Sequence, residues 1–377
     1  MTQDFLSIIE SAKNVLAPMV DQSELAWRIL SRKYGADLCY TPMINAKIYA
    51  DSKNKKYKET IFSTNEKDRP LIIQFCGNDP ELILKAALDL QDKCDAVDIN
   101  LGCPQGIAKK GHYGAYLQDE WPLIESIVSL LKANLKVPVT CKIRIFPELE
   151  KTIAYAKMLE KAGCSLLTVH GRTREQNKDR SGLADWEVIK AIKENVSIPV
   201  FANGNIIYNE DIDKCIELTG VDGVMSAEGN LYNPGIFLKD CHPFIPDVID
   251  EYLEICQTTP TPPTCIKGHL FKLLRPCINK YTELRDELAT CTNDFTQIAN
   301  KFRIVLEKDR EAASNSTARS DNEFEVDENG YKIIPHWLCQ PYFRDKTLGN
   351  KERRPKRNPE VIEEETKCKK QKKELEE

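Results

Sequence analysis

Asp98-Ile99-Asn100-Leu101-Gly102-Cys103-Pro104 is the stretch that decides how this 377-residue chain is read. An apolar run containing Ala96, Val97 and Ile99 ends in a polar Asn and opens onto glycine, cysteine and proline. Glycine permits a tight turn and proline stiffens the chain beyond it, so a thiol is presented on a short loop directly after a strand. Barrel enzymes carry their chemistry at that position. Taken alone, Cys103 fits a half-buried structural cysteine equally well, because free cysteines are among the most buried residues. The choice turns on the other strand ends.

Working outward, short β-rich runs alternate with helical patterns from Asn14 to about Phe237. The spacing predicts strands at Val15–Val20, Asp37–Thr41, Leu71–Cys76, Ala96–Asn100, Val137–Ile145, Leu166–His170, Ile198–Ala202 and Gly223–Ala227. Amphipathic segments lie between them at Ser23–Tyr34, Pro80–Lys93, Trp121–Asn134, Leu149–Ala162 and Trp186–Glu194. In the fourth, Ala154, Met158 and Ala162 build one apolar face, and Gly163 follows as a stop. Strand and helix alternating in this way read as an α/β fold, a (β/α)8 TIM barrel over residues 1–245. A doubly wound sheet is the alternative, but no Gly-x-Gly-x-x-Gly or Walker-type loop follows an early strand.

After residue 240 the character changes. Thr258–Thr264 carries three prolines and reads as a linker. Ile266 to about Arg310 reads as helical, with Lys267, Lys272, Arg275, Lys280, Lys301 and Arg303 along it. Residues 246–345 are therefore expected to form a small helical module. Residues 311–322 are small and polar and are expected to be mobile. The charged tail, 346–377, is expected to be disordered, with a basic cluster at Arg353, Arg354, Lys356 and Arg357.

A net charge of −5 means that any nucleic-acid binding must come from a local basic patch. The start Met1–Glu10 has no basic, apolar and small-residue signal pattern, and no apolar run approaches a membrane span. Fourteen scattered cysteines without a Cys-x-x-Cys pair suit a reducing compartment rather than a disulfide framework or a metal site. The cytoplasm is the expected location, and the basic tail cluster fits either a nuclear signal or an RNA contact. A monomer is the default expectation.

The C-terminal strand ends carry a consistent inventory. Strand one ends in Ala17, Pro18 and Met19, which can pack against a flat ring. Strand three offers Gln74; strand four, Asn100 and Cys103; strand five, Lys142 and Arg144; strand six, His170 with Arg172 following. Strand seven ends in Asn203, Gly204 and Asn205, and strand eight leads into Ala227, Glu228 and Gly229. Glycines after strands seven and eight let backbone N–H groups approach an anion, the usual phosphate site of barrels. A phosphate there and a heterocycle over the mouth describe flavin mononucleotide (FMN), with a lysine stabilising charge on the reduced ring. Each residue has a plainer role: His170 as a satisfied core histidine, Arg144 as a carboxylate partner, and the helical cations as a solvated face. Glu228 is expected to act through its backbone, since a carboxylate repels phosphate.

Several strings resemble the tRNA-dihydrouridine synthases, in particular the eukaryotic 16/17 subfamily. They are Ala17-Pro18-Met19-Val20, Gln74-Phe75-Cys76-Gly77, Asn100-Leu101-Gly102-Cys103-Pro104, Cys141-Lys142-Ile143-Arg144, Asn203-Gly204-Asn205 and, most specific, His170-Gly171-Arg172-Thr173-Arg174-Glu175-Gln176. Pro335-His336-Trp337-Leu338-Cys339-Gln340-Pro341-Tyr342 looks like that subfamily's C-terminal signature. The resemblance implies FMN contacts at Pro18, Met19, Gln74, Lys142, His170, Asn203, Gly204, Asn205, Ala227 and Glu228, and Cys103 as the catalytic acid. Asn100, Arg144 and Arg172 would meet the uracil, and Lys267, Lys272 and Arg275 the tRNA backbone. NADPH or NADH would be the reductant. The sequence departs from the wider family after strand eight, where Ala227-Glu228-Gly229 stands in place of a Gly-Arg pair; this fits the 16/17 subfamily and leaves no arginine there for the flavin phosphate. Rival readings are an FMN barrel acting on a free pyrimidine, a Schiff-base aldolase using Lys142, and a non-catalytic RNA-binding barrel.

Overall fold

The computed structural model describes residues 3–51, 53, 55–177, 180–314, 324–327 and 331–343. Met1–Pro341 forms one compact unit and Tyr342–Glu377 a second. The segment 315–322 and the tail 346–377 lie outside the described residues.

Eight parallel strands close into a barrel: β1 Asn14–Leu16, β2 Leu38–Tyr40, β3 Leu71–Cys76, β4 Ala96–Leu101, β5 Val139–Arg144, β6 Leu167–His170, β7 Val200–Asn203 and β8 Gly223–Ser226. Each pairs with the next in chain order, and β1 pairs with β8 to close the ring. A two-residue strand, Ile44–Asn45, adds to the top of β3. The predicted TIM barrel is thus the observed one. Six strands are shorter than expected, and prolines bound three of them, Pro199 lying just before β7. Proline donates no hydrogen bond to a ladder, so β1 stops before Pro18 and β5 begins after Pro138.

Successive side chains on a strand point to opposite faces, and the barrel sorts them by chemistry. Outward residues such as Ile73, Phe75, Val97, Ile99, Cys141 and Val169 join the core beneath the helices. Inward residues at the N-terminal end, including Ile72, Ala96, Leu166, Phe201 and Met225, form a separate apolar plug. The helix Gln3–Ser11 caps that plug with Phe5 and Ile9. One pleat higher, the inward positions become Gln74, Asp98, Thr140, Lys142 and Thr168, all on strands in register. The barrel is therefore dry and apolar at its base and polar at its mouth.

The region after the barrel differs from its sequence reading. Ile245–Thr258 is a helix, followed by the helices Pro263–Leu273, Thr282–Thr290 and Phe295–Ser314. The single helical stretch expected from Ile266 to Arg310 is broken near Pro276, and its last helix runs on to Ser314. Pro263–Leu273 packs on the short helix Glu228–Tyr232 that follows β8. Its orientation is fixed by a buried polar cluster. The His269 ring stacks on Trp27 (centroids 3.9 Å apart) and its Nε2 meets Glu24 Oε2 at 3.0 Å. Trp27 Nε1 donates to Asn230 Oδ1 (2.8 Å), and the Tyr252 hydroxyl donates to Glu24 Oε1 (2.7 Å). The signature segment returns as a strap: Leu338 bridges Phe244, Cys339 N–H donates to Pro243 O (2.9 Å), and His336 meets Asp309 (2.6 Å). Among the described residues no helix is long and apolar enough to cross a membrane.

Candidate active site

The loop Gly102–Pro104 leaves β4 with its backbone held by one side chain. Asn100 Oδ1 accepts from Gly102 N–H (3.2 Å) and Cys103 N–H (2.9 Å). Asn100 Nδ2 donates to Gln74 Oε1 at 2.8 Å, so strands β3 and β4 share the burden of shaping this turn. Cys103 itself is half-buried. Burial pushes its thiol above the usual range, against the weaker pull of the Gln105 backbone, Arg144 and Lys142. At neutral pH it is a thiol, a group that can give up a proton.

Lys142 projects from β5, in register with Asn100 on β4. Its ammonium donates to Asn203 Oδ1 (2.9 Å), while Asn203 Nδ2 donates to Met225 O (2.9 Å). Burial first, and then repulsion from Arg144, brings Lys142 down to about 8, so it is mainly cationic at neutral pH. Arg144 donates to the carbonyls of Gly102 (2.9 Å), Thr173 (2.8 Å) and Gln176 (3.1 Å). It therefore clips the Cys103 loop to the loop after β6 instead of pairing with a carboxylate.

His170 ends β6. Burial, with Lys142, Arg144 and Arg172 nearby, pushes its pKa well below the usual value and keeps the ring neutral. Arg172 Nη1 lies 3.1 Å from His170 Nε2. A guanidinium can only donate, so Nε2 accepts and the ring proton sits on Nδ1. Arg172 Nη2 also donates to Asn205 Oδ1 (2.5 Å), tying the β6 loop to the β7 loop. Gly204 lies between them with φ of +111°, where a Cβ would come within 2.7 Å of Ala184 Cβ and 3.0 Å of His170 Cδ2. Only glycine fits that backbone and that space.

Pro18 and Met19 are half-buried in the loop after β1, where Met19 N–H donates to Ser23 Oγ (2.9 Å). Ala227 is half-buried and Glu228 exposed after β8. Beside them Ser226 Oγ is buried without a hydrogen-bond partner. The barrel residues named from the sequence thus converge on one end of the barrel. The helical cations are more dispersed. Lys267 donates to Ala289 O (2.9 Å) and Arg275 is exposed. Lys272 is half-buried; burial lowers its pKa and the Glu228 carboxylate opposes that shift. Sequence reasoning assigned no role to Asp98, Thr140 or the carbonyls that hold Arg144. Only the inward parity of β4 and β5 pointed to the first two.

The match to known proteins follows this geometry. The family model described as "Dihydrouridine synthase (Dus)" matches residues 15–326. A Mus musculus protein named tRNA-dihydrouridine(16/17) synthase-like is 48% identical over 359 residues, covering 94% of this chain and 73% of its own length. The Schizosaccharomyces pombe tRNA-dihydrouridine(16/17) synthase is 49% identical over 362 residues, covering 91% of this chain and 90% of its own. A human tRNA-dihydrouridine(20a/20b) synthase-like protein is 40% identical over 263 residues, covering 69% of this chain and 81% of its own length. A match that runs from the first barrel strand to beyond the last described helix shows that this chain belongs to the dihydrouridine synthase family.

Proposed function

We propose that this protein reduces uridines in the D-loop of tRNA to 5,6-dihydrouridine, using FMN and NAD(P)H. The observation that carries the reading is the neutral Cys103 thiol on its loop beside the cationic cluster of Lys142, Arg144 and Arg172. The relatives named above as tRNA-dihydrouridine(16/17) synthases support the substrate.

The residues fit a flavin nucleotide. Buried Ser226 Oγ without a partner and the close-packed Gly204 turn lie at the ends of β7 and β8, where barrels bind phosphate. Lys142 and the Nδ1–H of His170 add donors beside that position. When bound, FMN supplies the hydride, taken from the nicotinamide and passed to C6 of the uracil. Charge that develops on the base is stabilised by Lys142 and Arg172, which are held in place before the reaction. Cys103 gives its proton to C5, and the thiolate left behind is stabilised by Lys142 and Arg144 until solvent reprotonates it. The target base has to leave its stack to reach the mouth. Lys267, Lys272 and Arg275 bind the tRNA backbone on this reading, with a salt-dependent affinity.

Purified protein is expected to be yellow, to bleach with NADPH without oxygen, and to recover its colour when tRNA lacking dihydrouridine is added. A protein that cannot be reconstituted with FMN, or whose reduced flavin ignores tRNA, would sink the reading.

A further inference from the structure

Beneath the acid loop lies a carboxylate that the reaction above does not use. Asp98 is fully buried on β4, two residues before Asn100 and on the same inward face. Thr140 Oγ1 donates to its Oδ1 at 2.6 Å, and Gln74 Nε2 donates to its Oδ2 at 2.8 Å. From Gln74 the hydrogen bonds continue through Asn100 to the N–H groups of Gly102 and Cys103.

Both ends of this chain of bonds have fixed polarity. An ionised carboxylate can only accept, and a backbone N–H can only donate. Gln74 must therefore turn its amide nitrogen to Asp98 and its oxygen to Asn100, and Asn100 must turn its oxygen to the loop. We propose that Asp98 is a positioning residue for the acid: its carboxylate sets the direction of the Gln74–Asn100 amide chain and so holds the Cys103 loop. This inference rests on the reading of Cys103 as the proton donor.

The carboxylate is also poised to lose that control. Burial raises Asp98 to about 6, opposed by the bonds from Thr140 and Gln74 and by the charge of Lys142. The other titratable group facing it is Tyr40 on β2, and Cys141 on β5 lies nearby on the outward side of the barrel wall; both are neutral. Burial raises Tyr40, and Cys141 is raised by its Cys164 contact and by burial. Below that value Asp98 carries a proton and can donate to a reversed Gln74 amide. Gln74 would then offer its nitrogen to Asn100, drawing the Asn100 oxygen off the Cys103 N–H. The proton-transfer step should thus slow as pH falls through about 6, although the thiol itself stays protonated.

The test follows reoxidation of pre-reduced, FMN-loaded full-length protein by tRNA in single turnovers across this pH range, with dihydrouridine formation as the product readout. Thr140→Val removes one donor to the carboxylate without touching Gln74, so the acid limb should move to higher pH. Asp98→Asn should abolish the limb and slow uracil reduction roughly 10- to 100-fold, the scale of a misplaced reacting group. Flavin reduction by NADPH should be retained in both variants. A limb that stays in place in Thr140→Val, or unimpaired uracil reduction in Asp98→Asn, overturns the inference; if Asp98→Asn does not fold, Thr140→Val decides alone. Cys103→Ala separates the two levels. Retained uracil reduction there removes the acid itself, whereas a dead Cys103→Ala with an unmoved Thr140→Val limb removes only the role of Asp98.

Discussion

Lys142 and Arg144 at the barrel mouth hydrogen-bond to oxygen atoms that carry no formal charge, the Asn203 amide and three backbone carbonyls. Beyond the barrel several cations meet carboxylates instead, although Lys267 donates to the Ala289 carbonyl. Lys280 pairs with Asp309 (2.7 Å), Lys301 with Glu287 (2.5 Å), and Arg303 with Asp247 (2.8 Å), Asp250 (2.7 Å) and Glu307 (3.2 Å). The difference is one of purpose. A cation held by neutral oxygens keeps its charge available to an anion, and like charges brought together in a buried site strengthen that field. Cations already matched to carboxylates on an exposed surface offer little further attraction and contribute modestly to stability.

This contrast can be broken at several points. The largest effect is expected from Cys103→Ala, which should cut uracil reduction by about 10²- to 10⁴-fold. NADPH-driven flavin bleaching should persist, so stopped-flow comparison of the two half-reactions checks it. Lys142→Met should slow uracil reduction by about 10²- to 10³-fold through loss of a preorganised charge. In the parent protein the corresponding rate should fall as pH rises through about 8, where Lys142 loses its proton; the Met variant should lack that limb. His269→Ala should destabilise the fold by about 3–5 kcal/mol in denaturant titrations, because it breaks a buried pair with Glu24. Burial acts to raise Glu24, but His269 and Tyr252 prevail and lower it. Its stabilising contribution is therefore complete above the ordinary carboxylate range and is lost as pH falls through the lowered value. Among the smallest effects, Arg303→Ala should cost no more than about 1 kcal/mol despite its three acidic partners. Charge reversal of Lys272 with Arg275 should weaken tRNA binding and flatten its salt dependence by about 0.9 in log–log slope per phosphate contact removed. Unchanged binding would leave the helical face as packing alone.

The barrel was legible because each strand alternates an outward apolar residue with an inward one, and on β3 and β4 the inward residues turn polar toward the C-terminal ends. Gln74, Lys142, His170 and Asn203 could be picked out for that reason. Asp98 lay in full view in the opening stretch and still received no role. A buried inward carboxylate and a solvated one look alike in sequence, and amide polarity exists only once three strands are side by side. The partners of the helical cations were equally hidden. Arg303 finds Asp247 56 residues away, a pairing that no local pattern signals. The helix Ile245–Thr258 falls in the expected helical module but carries its own start signal, a proline in the first helical turn.

The strap has a consequence for how much of this chain can be dispensed with. His242 Nδ1 meets the Cys339 carbonyl at 2.9 Å, and Ile245 N–H donates to Trp337 O at 2.9 Å. A chain stopped by a nonsense codon after Ser314 would retain every catalytic string and every described helix. It would also strip the cover from Phe244 and remove the His336 partner of Asp309. Such a product would pass inspection by motif and yet expose the apolar surface that the strap covers, a natural substrate for cellular proteases. Premature termination ahead of the strap should therefore be read as loss of protein rather than loss of a tail.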